Sequence, residues 1–274
     1  MLTKLLKYDF KSMQKTLLTL YAAMLGFSVI YRIFLQITQV SEGFRKNTFV
    51  NVVSSLGMMF YIFLTVAIFI VTFVMIISRY YKSLYTDEGY LTNTLPVSPA
   101  SILTSKLISS FCYIVLAFIC VLASLAVLLT TPDTIKQAKD MFAMFFGFSE
   151  INFKEYITPI VLMVFAILVQ LVLSLSMFFF CISLGQVVMP KNKIMGSILS
   201  YIVLYVVSEV FMLLVMLSTG FTQNGYNAVE RFFYMDTPKL LNIVFAVIIA
   251  IGVIGSAIFF TLITLINKKK LNLD

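Results

Sequence analysis

The stretch "LGMMFYIFLTVAIFIVTFVMIIS", residues 56–78, runs for 23 residues without a charge. No face of a helix made from it could meet water. A run of about 20 mainly apolar residues is what a helix needs to cross the hydrocarbon core of a bilayer. Lipid offers no partner to backbone N–H and C=O groups, so such a segment must satisfy them internally, as a helix does. Six stretches of this kind occur, at 17–37, 57–78, 108–130, 158–184, 196–218 and 240–265. Across the 274 residues only 12% are charged, against about 25% in a typical soluble domain. Mean hydropathy is +1.01. The fold class that follows is an all-α polytopic membrane protein with six transmembrane helices in one transmembrane domain, 1–274.

The same composition removes whole classes of function. The chain has no histidine, which takes away the commonest general base, metal ligand and partner of a nucleophilic Ser or Cys. Cys112, Cys120 and Cys181 lie inside apolar stretches without CxxC spacing, as small buried hydrophobes do. Neither a catalytic nor a metal site is expected. The net charge of +8 does not point to nucleic acid, because the basic residues sit at the ends of apolar blocks, where they orient a membrane protein. Lysines precede the first apolar run as in a signal peptide. That run is too long for a signal's central region and no A-x-A site follows, so it reads as a retained span.

Lys and Arg counts set the orientation. On the side of both termini fall Lys4, Lys7, Lys11, Lys15, Arg79, Lys82, Lys106, Lys191, Lys193, Lys268, Lys269 and Lys270, twelve in all. The other side has eight: Arg32, Arg45, Lys46, Lys136, Lys139, Lys154, Arg231 and Lys239. Both termini are therefore expected in the cytoplasm. Up to the start of the first span, Leu2, Leu5, Leu6, Phe10, Met13 and Leu17 recur at helical spacing while the four lysines within 1–16 occupy the remaining surface. This pattern describes an amphipathic helix lying in the inner interface, separate from the first span.

Between the second and third spans the chain breaks into "RYYKSLYTDEGYLTNTLPVSPASILTSKL", residues 79–107. A loop that only returns the chain needs roughly 2–8 residues, and this one is several times longer. Gly89 and Pro96 limit any helix inside it to a few turns. "SPAS" is a strong helix start, with Ser98 as N-cap and Pro99 in the first helical position. Asp87 and Glu88 are expected to point into the cytoplasm. Tyr85, Tyr90, Leu91 and Leu95 offer apolar anchors of the kind enriched in protein contacts.

This loop, the start "MLTKLLKYDFKSM", the six-span layout and the lysine-rich ending "LINKKKLNLD" resemble the ABC-2 type transporter permeases, the membrane subunits of bacterial ABC exporters. The resemblance implies a cytoplasmic coupling helix within 79–107 that docks on a separate ATPase subunit, with Asp87, Glu88, Gly89, Tyr90, Leu91 and Leu95 as its contacts. It also implies a bacterial inner membrane and a second, identical or homologous permease as partner. No cofactor would bind this chain directly; ATP and magnesium would belong to the ATPase. The residues agree on one point: no G-x-x-x-x-G-K-[ST] loop is present, so no phosphate cradle is encoded here. The second cytoplasmic loop, "GQVVMPKNKIMG", offers Met189, Pro190 and Lys191 either as a lesser contact or as a plain basic turn.

Two ionisable residues fall within spans, Arg32 in the first and Glu209 in the fifth. Charges at such depth are costly and tend to find partners or water. Either Arg32 snorkels to the outer headgroups or the two form an intramembrane pair. The outer loop 131–156 is expected to lie on the outer leaflet or to shape an exit, and 219–238 to dip back as a hairpin, as in similar permeases. The function expected from all this is ATP-driven export of amphipathic or hydrophobic cargo. The alternative is a non-transporting membrane scaffold or sensor partner.

Overall fold

The computed structural model describes residues 2–40, 47–86, 88–89, 97–129, 153–221 and 236–270. Among them the secondary structure is helical throughout, with no strand. The helices are α1 (Leu2–Val40), α2 (Thr48–Tyr85), α3 (Pro99–Leu128), α4 (Phe153–Val188), α5 (Lys193–Phe221) and α6 (Thr237–Lys270). All six are long and apolar enough to cross a membrane, and the chain is a multi-pass membrane protein. The outer loop 130–152 and most of the expected hairpin, 222–235, lie outside the described residues, as do Asp87, Tyr90, Leu91 and Leu95.

The helices start where the sequence supplies a cap. Asn47 Oδ1 accepts the N–H of Phe49 at 3.0 Å ahead of α2. Ser98 Oγ accepts the N–H of Ser101 at 3.3 Å ahead of α3, so Ser98 and Pro99 open that helix as their residue types require. Asp236 precedes α6, where its carboxylate takes Lys239 at 2.8 Å. That ammonium holds the exposed Asp236 carboxyl below the usual carboxylate range.

The helices are longer than the apolar blocks from which they were anticipated. α1 has 39 residues, about 58 Å at 1.5 Å per residue, against a hydrocarbon core of about 30 Å. Residues 2–16 are helical, but they continue into the first span without a break instead of forming a separate helix. Their apolar stripe also has a protein partner: Met13 and Leu17 are buried, and the Phe10 ring lies 5.5 Å from that of Tyr113. Amphipathic spacing reports that one face is covered; it does not distinguish a headgroup layer from a neighbouring helix. The four lysines of this stretch are exposed.

The chain forms two compact units, Met1–Arg79 with Ile108–Ile151, and Tyr80–Leu107 with Asn152–Asp274. The first contains α1 and most of α2 and α3. On α1 the buried side chains Met13, Leu17, Tyr21, Met24, Ser28 and Tyr31 follow one another three or four residues apart, the seam of close helix packing. Hydrogen bonds between helices join this seam to its neighbours. The Tyr21 hydroxyl lies 2.9 Å from Thr72 Oγ1 on α2 and 3.2 Å from the Tyr113 carbonyl on α3. The Tyr61 hydroxyl lies 2.9 Å from Ser124 Oγ, again α2 to α3. Where lipid is as apolar as leucine, small residues and such bonds hold helices together better than apolar burial does.

The second unit has α4 at its centre, packed against α6 and α5. A Cβ on Gly252 would strike Val169 and one on Gly255 would strike Leu173. The two glycines thus let α6 approach α4 closely. α5 differs from every other helix. Gly196 and Ser200 are buried near its start, whereas residues 205–217 are all exposed. The side chains of this second half of α5 are thus uncovered within its own unit.

Candidate functional site

At the end of α2 from which the 86–98 connection departs, the second unit buries a polar cluster. Tyr80 and Tyr85 stand at 1% and 8% exposure, one and a half turns apart on the last part of α2. The Tyr80 ring stacks on Phe179 of α4 at 3.9 Å with a 4° interplanar angle. Its hydroxyl lies 2.9 Å from Ser183 Oγ. The Tyr85 hydroxyl reaches the same Ser183 Oγ at 2.7 Å and Asn267 Oδ1 of α6 at 3.0 Å. Ser183 Oγ donates to the Phe179 carbonyl at 2.9 Å, which leaves its lone pairs for the two phenols. The single proton of Tyr85 is shared between two acceptors. Three helices, α2, α4 and α6, are tied at one point.

The chain beyond Tyr85 starts from this knot. The Lys193 ammonium, at the start of α5, donates to the Tyr85 carbonyl at 3.5 Å, placing a cation at the C-terminal end of α2, where the helix dipole favours it. The Gly89 N–H donates to the Thr86 carbonyl at 2.7 Å, so the chain turns at once. A Cβ at 89 would collide with the Leu84 carbonyl; glycine is required there by the close approach of backbone to backbone. Gly89 is buried and Glu88 exposed. Gly89 thus closes the turn, with the exposed Glu88 beside it.

The α4–α5 turn forms the other side of the site. The Met189 N–H donates to the Gly185 carbonyl at 3.0 Å, and the Gly196 N–H to the Asn192 carbonyl at 3.0 Å. Side chains on Gly185 or Gly196 would meet the backbone of the opposite helix, so the hairpin is closed glycine to glycine. Pro190 and Lys191 are exposed at its tip, with Met189 half-buried. Tyr81 of α2 and the turn enclose an open cleft of about 670 Å³, lined also by Asn192, Lys193 and Ile194.

The structure brings Glu88, Gly89, Met189, Pro190 and Lys191 into one unit. It relocates Tyr85, an expected surface anchor, to the interior, because its hydroxyl has two buried polar acceptors and its ring has Tyr80 at 6.1 Å. Sequence reasoning passed over Tyr80, Ser183 and Asn267. Asn267 carried a signal, as an amide ending an apolar run; Ser183 in "FFFCISLG" carried almost none.

Of the intramembrane charges, Arg32 is half-buried in the first unit. Its Nη1 donates to the Leu128 carbonyl at the end of α3, 3.2 Å away. One of its five N–H donors is thereby used at a helix C-terminus. Glu209 belongs to the second unit and lies on the uncovered half of α5, with the Tyr205 phenol as a hydrogen-bonding neighbour one turn earlier. No protein-family model, curated protein or solved structure matches this chain.

Proposed function

We propose that this chain is the membrane-spanning subunit of a bacterial ATP-driven exporter of the ABC-2 type, working in the inner membrane with a separate ABC ATPase and a second permease. The observation that carries the reading is the buried Tyr80–Ser183–Tyr85–Asn267 cluster at the root of the α2–α3 connection. A loop that receives force from a docked ATPase needs a stiff base joined to several spans, and this one is bonded to α4 and α6. A simple return loop has no such need. Glu88 is the described residue offered to the partner; Asp87, Tyr90, Leu91 and Leu95 belong to the same proposed contact, with Met189, Pro190 and Lys191 as a lesser one.

The uncovered half of α5 supports the second permease. A carboxylate such as Glu209 is costly in hydrocarbon, and a homologous or identical bundle laid on this face would cover it. Arg32 is its proposed counter-charge across the pair, through the donors that Leu128 does not use. Cargo passing between two apolar bundles would be amphipathic or hydrophobic.

The test is copurification. Tagged full-length chain, isolated at native abundance, is expected to bring down a protein with a phosphate-binding loop and ABC ATPase activity, and alone to hydrolyse no ATP. Glu88→Lys is expected to leave insertion intact and to weaken that association by about 2–5 kcal/mol if the contact is a desolvated charge pair. Recovery of a kinase or a secretion component without any ATPase would establish the scaffold reading instead.

A further inference from the structure

The cleft between Tyr81 and the α4–α5 turn has a composition that neither a docking loop nor a plain turn requires. Lys191, Asn192 and Lys193 make one part of its lining cationic and polar. Ile194, Met195 and Ile198, further along α5, make another part apolar. These three are 66%, 66% and 56% exposed, and they begin the lipid-facing surface that continues up α5. The lining of one cleft thus combines cationic and apolar side chains. Its volume of about 670 Å³ lies in the range of small-molecule sites, roughly 300–1,000 Å³.

We infer that this cleft binds a phospholipid with an anionic headgroup. The phosphodiester sits against Lys191 and Lys193, with the acyl chains laid along Ile194 and Ile198. Basic pockets between transmembrane helices recognise such headgroups. Lys193 gives one contact to the Tyr85 carbonyl, and an ammonium has three donors, so two are left for a phosphate. Residues 193–195 are also the first turn of α5, the positive end of its dipole. The phenol of Tyr81, whose ring lies 6.4 Å from that of Tyr85, suits the headgroup level, where tyrosines are enriched. A soluble anion would use the lysines but not the apolar wall; only a molecule with both parts fits the whole lining. The inference does not depend on an ATPase partner.

Native mass spectrometry of the purified full-length chain, released from mild detergent, reads the binding directly. Phosphatidylglycerol is expected to give a retained one-lipid adduct and phosphatidylcholine of the same chains a much weaker one. Lys191→Gln is expected to lower apparent affinity for phosphatidylglycerol about fivefold, as one lysine near an anionic surface does, while Lys191→Arg retains it. Lys193→Gln is avoided because it also removes the contact to Tyr85. Lys4→Gln, at an exposed lysine of α1, serves as the control. Equal retention of the two lipids overturns the proposal, as does an equal loss in Lys4→Gln and Lys191→Gln. Inorganic phosphate competing as well as phosphatidylglycerol overturns it too, since the site would then hold a free anion.

Discussion

Tyr85 shows how one hydroxyl decides the local structure. Its ring is buried beside Tyr80 and Tyr81 and its oxygen lies between Ser183 and Asn267, so Phe at this position keeps the packing but takes the phenol's proton from the buried Asn267 Oδ1, while Ser183 keeps Tyr80 and the Phe179 carbonyl. Leaving such a group without its partner costs about 1–3 kcal/mol. Tyr85→Phe is expected to lower the melting temperature in detergent, whereas Tyr8→Phe, at a side chain 69% exposed, is expected to leave it unchanged. Equal melting temperatures for the two variants would mean that the cluster contributes nothing. Arg32 and Glu209 belong to the same scale. If they pair as proposed, each single substitution leaves a charge in low dielectric, and Arg32→Met with Glu209→Gln loses less than the sum of the two. Additivity within about 0.5 kcal/mol would make them independent and leave Leu128 as the sole partner assigned to Arg32.

Between elements, glycine sets the distances. At the α4–α5 hairpin the hypothetical side chain of Gly185 meets the backbone of Ser197, which cannot rotate away. Gly185→Ala is therefore expected to destabilise by about 1–3 kcal/mol, as overpacking does. On α1 the same change at Gly26 meets nothing within 4 Å. There it replaces a poor helix former by the best one, a gain of up to about 1 kcal/mol. Thermal unfolding of the two alanine variants checks both signs together. A loss at Gly26 matching that at Gly185 would show that helix approach is not what the glycines provide.

For the whole molecule, we propose from the six spans and from the bias of twelve basic residues over eight that both termini face the cytoplasm. In a background without Cys112, Cys120 and Cys181, cysteines at Ser98 and Lys268 are expected to react only from the cytoplasmic side. One at Lys139 is expected to react only from outside. Labelling of the Ser98 position in intact cells would reverse the orientation and remove the loop from any ATPase.

Helix type, helix number and membrane residence were all written in the apolar runs, because lipid leaves the backbone a single way to bond itself. The caps at Ser98 and Asn47 were equally local: a side chain bonding an N–H two or three residues ahead needs no tertiary partner. The stripe through Leu2, Leu5, Leu6, Phe10, Met13 and Leu17 announced a covered face, but only the fold supplied Tyr113 as a neighbour to it and carried the seam on through Tyr21 to Thr72. Tyr85 is the clearest case of what spacing could not reveal. Read along the chain it is an aromatic residue in a polar loop. Its acceptors stand 98 and 182 positions away, and partners that distant are chosen by how helices pack. The same holds for the cleft: lysines at 191 and 193 mark any basic turn, and it is the approach of Tyr81 from α2 that encloses them.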